Sequence, residues 1–147
     1  MSSGKFCYDY PRPSVTVDLV LFAKNGCNKK ILLIERKHEP FKAMWALPGG
    51  FIDENEDLYD AACRELKEET GVEDVPLTQF GAFGKPGRDP RGHTVSIAFT
   101  ATLDNTVETR AGDDASNAKW FSIDNLPELA FDHKEIIEKG GMVNSKQ

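Results

Sequence analysis

Residues 50–72 read GFIDENEDLYDAACRELKEETGV and decide how the rest of the chain is interpreted. Gly50 and Glu56 precede a dense block, Arg64-Glu65-Leu66-Lys67-Glu68-Glu69-Thr70-Gly71-Val72. Apolar residues recur every four positions ahead of Gly71, which is a good C-terminal stop for a helix. The segment therefore predicts a helix over residues 57–70.

Three carboxylates of this helix fall on one face, because Glu65, Glu68 and Glu69 are related by offsets of three and four residues. Like charges at this spacing destabilise a helix, so a compensating cation is expected. Mg²⁺ fits because it prefers hard oxygen ligands and shares itself with water and phosphate; all-oxygen sites also accept Mn²⁺. Arg64, four residues before Glu68, is expected to clamp one carboxylate.

The alternative interpretation is a solvated acidic face, the usual meaning of a charge run. Seven fixed residues and two apolar positions coincide here, and the chance of that at a given start is on the order of one in a billion. The stretch matches the signature box of the Nudix hydrolases at every defining position, and the chain resembles that family along most of its length. The resemblance implies an α/β fold, an α/β/α sandwich with a mixed sheet, and cleavage of a nucleoside diphosphate linked to another moiety.

Further metal ligands are expected around the box. Adjacent Gly49 and Gly50 let the backbone approach an ion, so one of their carbonyls is a candidate ligand; the alternative is a plain tight turn. Similar proteins often use another acidic residue outside the box as base or ligand. Asp113 and Asp114 are the candidates for that catalytic role, Glu108 is a weaker one, and solvated loop carboxylates are the alternative.

A second informative feature is the loop over residues 87–93, which presents Arg88 and Arg91 on a Gly/Pro-constrained turn. Arginine suits phosphate recognition, and the segment resembles the Arg-Asp-Pro-Arg-Gly loop of ADP-ribose pyrophosphatases within the family. Both arginines and Arg36 are therefore candidate substrate-binding residues, against the alternative of solvated charge. His93 and His133 lack partners at zinc-ligand spacing and are not interpreted as metal ligands.

The chain has 147 residues and a formal charge of −6, which fits one domain over residues 1–147 with an N-terminal arm over 1–13. The sequence has no stripe of basic residues, so a nucleic-acid partner is not expected. The expectation is a cytoplasmic protein without membrane association, because neither a signal peptide nor a spanning segment is evident. A homodimer is a further expectation by analogy with similar proteins.

The remaining periodicity predicts a hairpin from residues 14–22 and 31–34, strands at 77–83, 95–103 and 118–122, and a helix at 133–139 closed by Gly140-Gly141. In residues 95–103 every second residue is expected to face inward. A loop is expected over 104–116. The order of elements favours a mixed sheet with helices on both faces.

The favoured function is metal-dependent hydrolysis of ADP-ribose to AMP and ribose 5-phosphate. One alternative is a house-cleaning nucleoside triphosphate pyrophosphatase. Another is a non-catalytic ligand sensor, because residues 8–13 and 129–133 resemble Nudix domains of bacterial regulators that sense ADP-ribose.

Overall fold

The computed structural model describes residues 5–145 and contains seven strands and two helices within that range. In chain order the elements are β1 (Ser14–Asn25), β2 (Asn28–Arg36), β3 (Trp45–Ala46), β4 (Gly49–Phe51), α1 (Leu58–Thr70), β5 (Thr78–Phe83), β6 (Thr94–Leu103), β7 (Ala115–Ser122) and α2 (His133–Ser145). Residues 5–13 of the predicted arm precede β1 without helix or strand, and residues 1–4 lie outside the described part.

The strands form one mixed sheet in the order β3-β2-β1-β6-β5, with β4 paired to β1 and β7 paired to β2. Among these pairs of strands, within residues 5–145, only the central β1–β6 pair is parallel. The predicted hairpin is confirmed, since β1 and β2 are antiparallel with Asn25 opposite Asn28. The mixed sheet therefore has β1 at its centre, paired with β2, β4 and β6.

The core has two halves, one on each face of the sheet. On one face Leu19 and Phe99 pack against Leu66 of α1, and on the other Val20 packs with Ile136 of α2. This arrangement confirms the predicted α/β/α sandwich. It also corrects the one-sided alternation expected for residues 95–103, because both faces of β6 are covered.

Helix α1 confirms the predicted element to within one residue, with Asp57 preceding its first turn. Gly71 ends the helix in the left-handed region at φ 77°, and its N–H donates to the Lys67 carbonyl oxygen. That conformation is the usual glycine C-terminal stop.

Helix α2 does not end where the sequence predicted. Gly140-Gly141 does not close it; the helix continues to Ser145. A Cβ on Gly140 would lie 3.0 Å from Val20 Cγ1, so the glycine lets α2 pack closely on the sheet. Strand β7 also begins earlier than predicted, at Ala115, because pairing with β2 continues through a bulge beside Arg36.

Candidate active site

Helix α1 presents its carboxylates to a cavity of about 910 Å³ bordered by β1, β4 and the loops before α1 and α2. Glu65 is buried, Glu69 is half-buried, and the Glu68 side chain is 58% exposed. The three side chains line the same cavity, as predicted from their helical spacing. Glu65 and Glu69 are therefore shielded from water more than Glu68 is.

Arg64 organises the carboxylates around it. It donates two hydrogen bonds to Glu56, at 2.7 and 2.8 Å, and single ones to Glu65 Oε1 at 2.9 Å and Glu68 Oε2 at 3.1 Å. Its guanidinium also reaches the Phe51 carbonyl oxygen at 3.2 Å. The predicted clamp on Glu68 is present, and the same guanidinium fixes two further carboxylates.

Glu56 orients the loop that leads into α1. The hydrogen bonds from Arg64 lower the pKa of Glu56 to about 2, and the Asp53 N–H also donates to Glu56 Oε1 at 2.9 Å. A paired carboxylate of this kind stays ionised, and charge-assisted hydrogen bonds hold it firmly.

Gly49 and Gly50 lie where a side chain would not fit. A Cβ on Gly50 would lie 2.7 Å from Glu65 Oε1, and one on Gly49 would lie 2.1 Å from the Val17 carbonyl oxygen. The Gly49 N–H donates to Glu69 Oε2 at 3.3 Å. The two glycines therefore bring strand backbone directly against the carboxylates of α1.

Two carboxylates of the site, Glu69 and Glu65, have raised pKa values. Burial, followed by the neighbouring charges of Glu65, Asp18 and Asp114, raises the pKa of Glu69 to about 8. Burial also raises the pKa of Glu65 despite its hydrogen bond from Arg64. A cation nearby would favour the charged forms, so these carboxylates suit a divalent ion.

The donor set fits a hard divalent ion that keeps part of its water. Within residues 5–145, no three His, Cys, Asp or Glu side chains are already gathered closely enough to hold a metal ion by themselves. Mg²⁺ commonly binds through one or two carboxylates together with water and substrate phosphates. Glu65, Glu68, Glu69 and the Gly49–Gly50 backbone are the residues that would hold it.

Sequence reasoning missed a buried polar cluster beneath the glycines. Asp18, on β1, accepts a short hydrogen bond from Ser96 Oγ and lies 3.5 Å from His133 Nε2. The His133 Nδ1 atom accepts the Leu47 N–H at 3.0 Å, and burial lowers the pKa of His133, so the ring is neutral with its proton on Nε2. Asp18 had a detectable signal, as a lone charge inside an apolar strand; no spacing pointed to His133.

The acidic loop, residues 104–114 between β6 and β7, carries Asp113 and Asp114 and lies at the C-terminal end of α1. The N–H groups of Arg110 and Gly112 donate to the carbonyl oxygens of Thr70 and Glu69, at 2.8 and 3.3 Å. Asp114 lines the cavity with an exposed side chain and contributes to the raised pKa of Glu69. Asp113, the other predicted candidate, is not among the residues that line the cavity. Its backbone carbonyl oxygen accepts a hydrogen bond from Lys37 Nζ at 3.3 Å.

The three predicted substrate-binding arginines differ in their exposure and in their hydrogen-bond partners. Arg88 is 5% exposed and makes a two-point ion pair with Asp132, at 2.7 and 2.9 Å, while also reaching the Thr94 carbonyl oxygen. It lines the cavity as part of its wall. Its substrate-binding role stays a prediction, in competition with this structural pairing.

Arg36 and Arg91 face the cavity around the Phe131 ring. Their guanidinium carbons lie 5.0 and 5.4 Å from its centroid, and Arg91 also lies 4.9 Å from the Phe51 ring. Asp89 accepts hydrogen bonds from Arg91 Nε and Nη2, at 3.1 and 2.8 Å. The cavity thus combines acidic groups on α1 with cationic and aromatic groups from three other segments.

Comparison with known proteins shows the family of this chain. The model of the NUDIX domain matches residues 12–140. The chain belongs to the Nudix family. It is 46% identical over 129 residues to an ADP-ribose pyrophosphatase of Methanocaldococcus jannaschii, which covers 88% of this chain and 73% of that protein. It is 35% identical over 135 residues to an ADPR responsive transcriptional repressor, NtrR, of Acinetobacter baylyi, covering 89% of this chain but only 54% of the repressor.

Solved structures of Nudix proteins are similar to this chain in both fold and sequence. The NUDIX domain of Shewanella oneidensis NrtR, complexed with ADP ribose, has a TM-score of 0.87 and 34% identity, covering 93% of this chain and 94% of that one. A Francisella tularensis NMN adenylyltransferase/ADP ribose pyrophosphatase, complexed with AMP and a Mn ion, has a TM-score of 0.77 and 31% identity, covering 95% and 43%.

The predictions of a Nudix hydrolase and of its fold are confirmed. Across residues 5–145, no helix is both long and apolar enough to cross a membrane. The predicted absence of a nucleic-acid partner stays a prediction, since one similar protein is a transcriptional repressor. Homodimer formation and cytoplasmic location also stay predictions.

Proposed function

We propose that this Nudix protein hydrolyses ADP-ribose to AMP and ribose 5-phosphate with the help of Mg²⁺ or Mn²⁺. The observation that carries the proposal is one cavity that is lined both by the α1 carboxylates Glu65, Glu68 and Glu69 and by Arg36 and Arg91. Such a cavity has oxygen ligands for cations and separate cationic groups for phosphate. The similarity to the archaeal ADP-ribose pyrophosphatase supports ADP-ribose as the substrate.

In the proposed reaction, water attacks one phosphorus of the diphosphate and the bridging P–O bond breaks. The departing phosphate oxygen keeps the electron pair of that bond, and the attacking water loses a proton to a base. When bound, a divalent cation supplies charge neutralisation at the diphosphate and increases the acidity of a water molecule. Little further covalent chemistry is required, so positioning dominates.

The side chains have separate roles in this proposal. Arg64 fixes Glu65 and Glu68 through the hydrogen bonds described above, so that they need not reorganise when substrate arrives. Asp114 is the candidate base outside the box, because it lies on the cavity beside Glu69.

Arg36 and Arg91 are assigned to the substrate anion. Their guanidinium groups suit two-point hydrogen bonding to phosphate oxygens. Phe131, between them, gives the cavity an aromatic surface against which a sugar or base can pack.

A direct test is hydrolysis of ADP-ribose by the purified chain, with Mg²⁺, with Mn²⁺ and with a chelator. The panel includes other nucleotide sugars, dinucleotides and nucleoside triphosphates, and the products are separated chromatographically. Metal-dependent release of AMP and ribose 5-phosphate, preferred over the panel, supports the proposal. Pyrophosphate release from a triphosphate alone would instead indicate the house-cleaning activity.

A sensor is the second candidate, because the chain is similar both to the ADPR responsive repressor and to an ADP-ribose complex of a Nudix domain. ADP-ribose binding measured by calorimetry, without turnover under any metal condition, would favour the sensor over the enzyme.

A further inference from the structure

His133 joins two buried segments that border the proposed metal site. Its side chain is 6% exposed, its Nδ1 accepts the Leu47 N–H at 3.0 Å, and its Nε2 lies 3.5 Å from Asp18 Oδ1. Because a backbone N–H can only donate, Nδ1 is the acceptor, which leaves the proton of the neutral ring on Nε2, the nitrogen nearest the carboxylate. Each ring nitrogen therefore has one defined partner.

The Leu47 amide begins the short segment that carries the two glycines. Within it the Pro48 carbonyl oxygen accepts the Leu19 N–H at 2.9 Å, and the Gly49 N–H donates to Glu69 Oε2 at 3.3 Å. The hydrogen bonds thus run from the first residue of α2, through residues 47–49, to a carboxylate of α1. This path connects the two helices around the edge of the cavity.

The other partner of His133 is also fixed. Asp18 is 6% exposed, accepts a hydrogen bond from Ser96 Oγ and pairs with Gly49 in the β1–β4 register. Since the Ser96 hydroxyl and the imidazole face different oxygens of Asp18, its carboxylate cannot rotate without losing a buried partner. Asp18 therefore provides a rigid support for the imidazole.

We propose that His133 is a positioning residue, which fixes the backbone of residues 47–50 and, through the Gly49 N–H, the Glu69 carboxylate for a divalent cation. This inference rests on the proposed function. His133 contacts neither the cation nor the substrate in this scheme. Its effect reaches the site through the Leu47 amide, with Asp18 holding the ring in the required orientation.

Two substitutions separate the two contacts. In His133→Asn the Oδ1 atom can take the place of Nδ1, so the acceptor for Leu47 is kept and the contact with Asp18 is lost. In His133→Gln the amide nitrogen can take the place of Nε2, so the contact with Asp18 is kept and the Leu47 acceptor is lost. His93→Gln is the matched control, since His93 is exposed and bonds the Gly84 carbonyl oxygen through Nε2.

Mn²⁺ binding measured by calorimetry is the first readout. We expect His133→Gln to weaken Mn²⁺ binding by about 10-fold or more, the usual effect of removing a residue that orients a metal ligand. His133→Asn and His93→Gln should both bind Mn²⁺ nearly as the wild type does. Equal Mn²⁺ affinities for all four proteins would overturn the inference, as would a larger loss for Asn than for Gln.

Amide hydrogen exchange of the metal-free proteins is the second readout, measured well below the melting temperature of the least stable variant. Faster exchange at Gly49 and Gly50 in His133→Gln than in His133→Asn is the expected result; equal exchange would contradict the positioning role. A wild-type chain that binds no Mn²⁺ and hydrolyses nothing would refute the proposed function, and exchange would then decide on backbone positioning alone.

Discussion

Replacing Glu69 by Gln should increase the stability of the metal-free protein at alkaline pH and leave it unchanged at acidic pH. The ordinary pKa of the side chain is 4.5, and burial raises it to about 8 in the folded protein. In the folded protein, Glu69 is therefore mainly protonated below about pH 8. Its contribution to stability is fully present below pH 4.5 and is lost as the pH rises through about 8.

The magnitude follows from the difference between these pKa values. At about 1.4 kcal/mol per pH unit, complete loss corresponds to about 5 kcal/mol. Glu69 keeps some contact with solvent, which screens part of the penalty, so we expect the Gln variant to be more stable by about 2 kcal/mol at pH 9. At pH 4 the two proteins should unfold at the same denaturant concentration.

The assay is chemical denaturation of both proteins with a chelator across this pH range, with Glu138→Gln, an exposed substitution on α2, as control. Adding Mn²⁺ should reverse the order, since a ligand at about 100 times its Kd stabilises a folded protein by about 2.7 kcal/mol. The wild type should gain more than the variant. A stability difference that does not depend on pH would refute the reasoning.

Three further substitutions test other parts of the site. Glu68→Gln should lower kcat by orders of magnitude without unfolding, because the helix loses a repulsive charge while the cation loses a ligand; an unfolded variant in circular dichroism would contradict this. Arg91→Ala should raise KM for ADP-ribose more than it lowers kcat, and an unchanged KM would return Arg91 to a solvated turn. Arg88→Leu should lower the free energy of unfolding by about 3 kcal/mol, because it leaves Asp132 without its partner; unchanged stability with a raised KM would instead assign Arg88 to the substrate.

The sequence predicted those parts of the fold in which local pattern and tertiary environment agree. Helix α1 and its glycine stop were predicted closely because the capping signal, the apolar repeat and the acidic face all indicate the same helix. The end of α2 was predicted wrongly because Gly140 acts through packing against Val20, a contact between residues far apart in the chain. The one-sided interpretation of β6 failed for a similar reason: helices cover both faces of the sheet.

The same distinction applies to the site. Helical spacing was enough to bring Glu65, Glu68 and Glu69 to one cavity. It could not reveal the contact of Asp18 with His133, because 115 positions of chain separate them and only the folded sheet and α2 bring them together. Nor could it distinguish the buried guanidinium of Arg88, which pairs with the distant Asp132, from the more exposed one of Arg91, which pairs with nearby Asp89.

The attachment of the acidic loop to α1 has an evolutionary consequence. Arg110 and Gly112 bind the last carbonyl groups of the helix through their backbone N–H groups, and a Cβ on Gly112 would lie 1.9 Å from the Glu68 carbonyl oxygen. This anchoring uses backbone groups and not the side chains at positions 113 and 114, whereas Gly112 has no room for a side chain. The anchored loop can therefore acquire different acidic, polar or apolar side chains beside the cavity during evolution. Such changes would alter the chemistry at the cavity entrance without altering the fold of the domain.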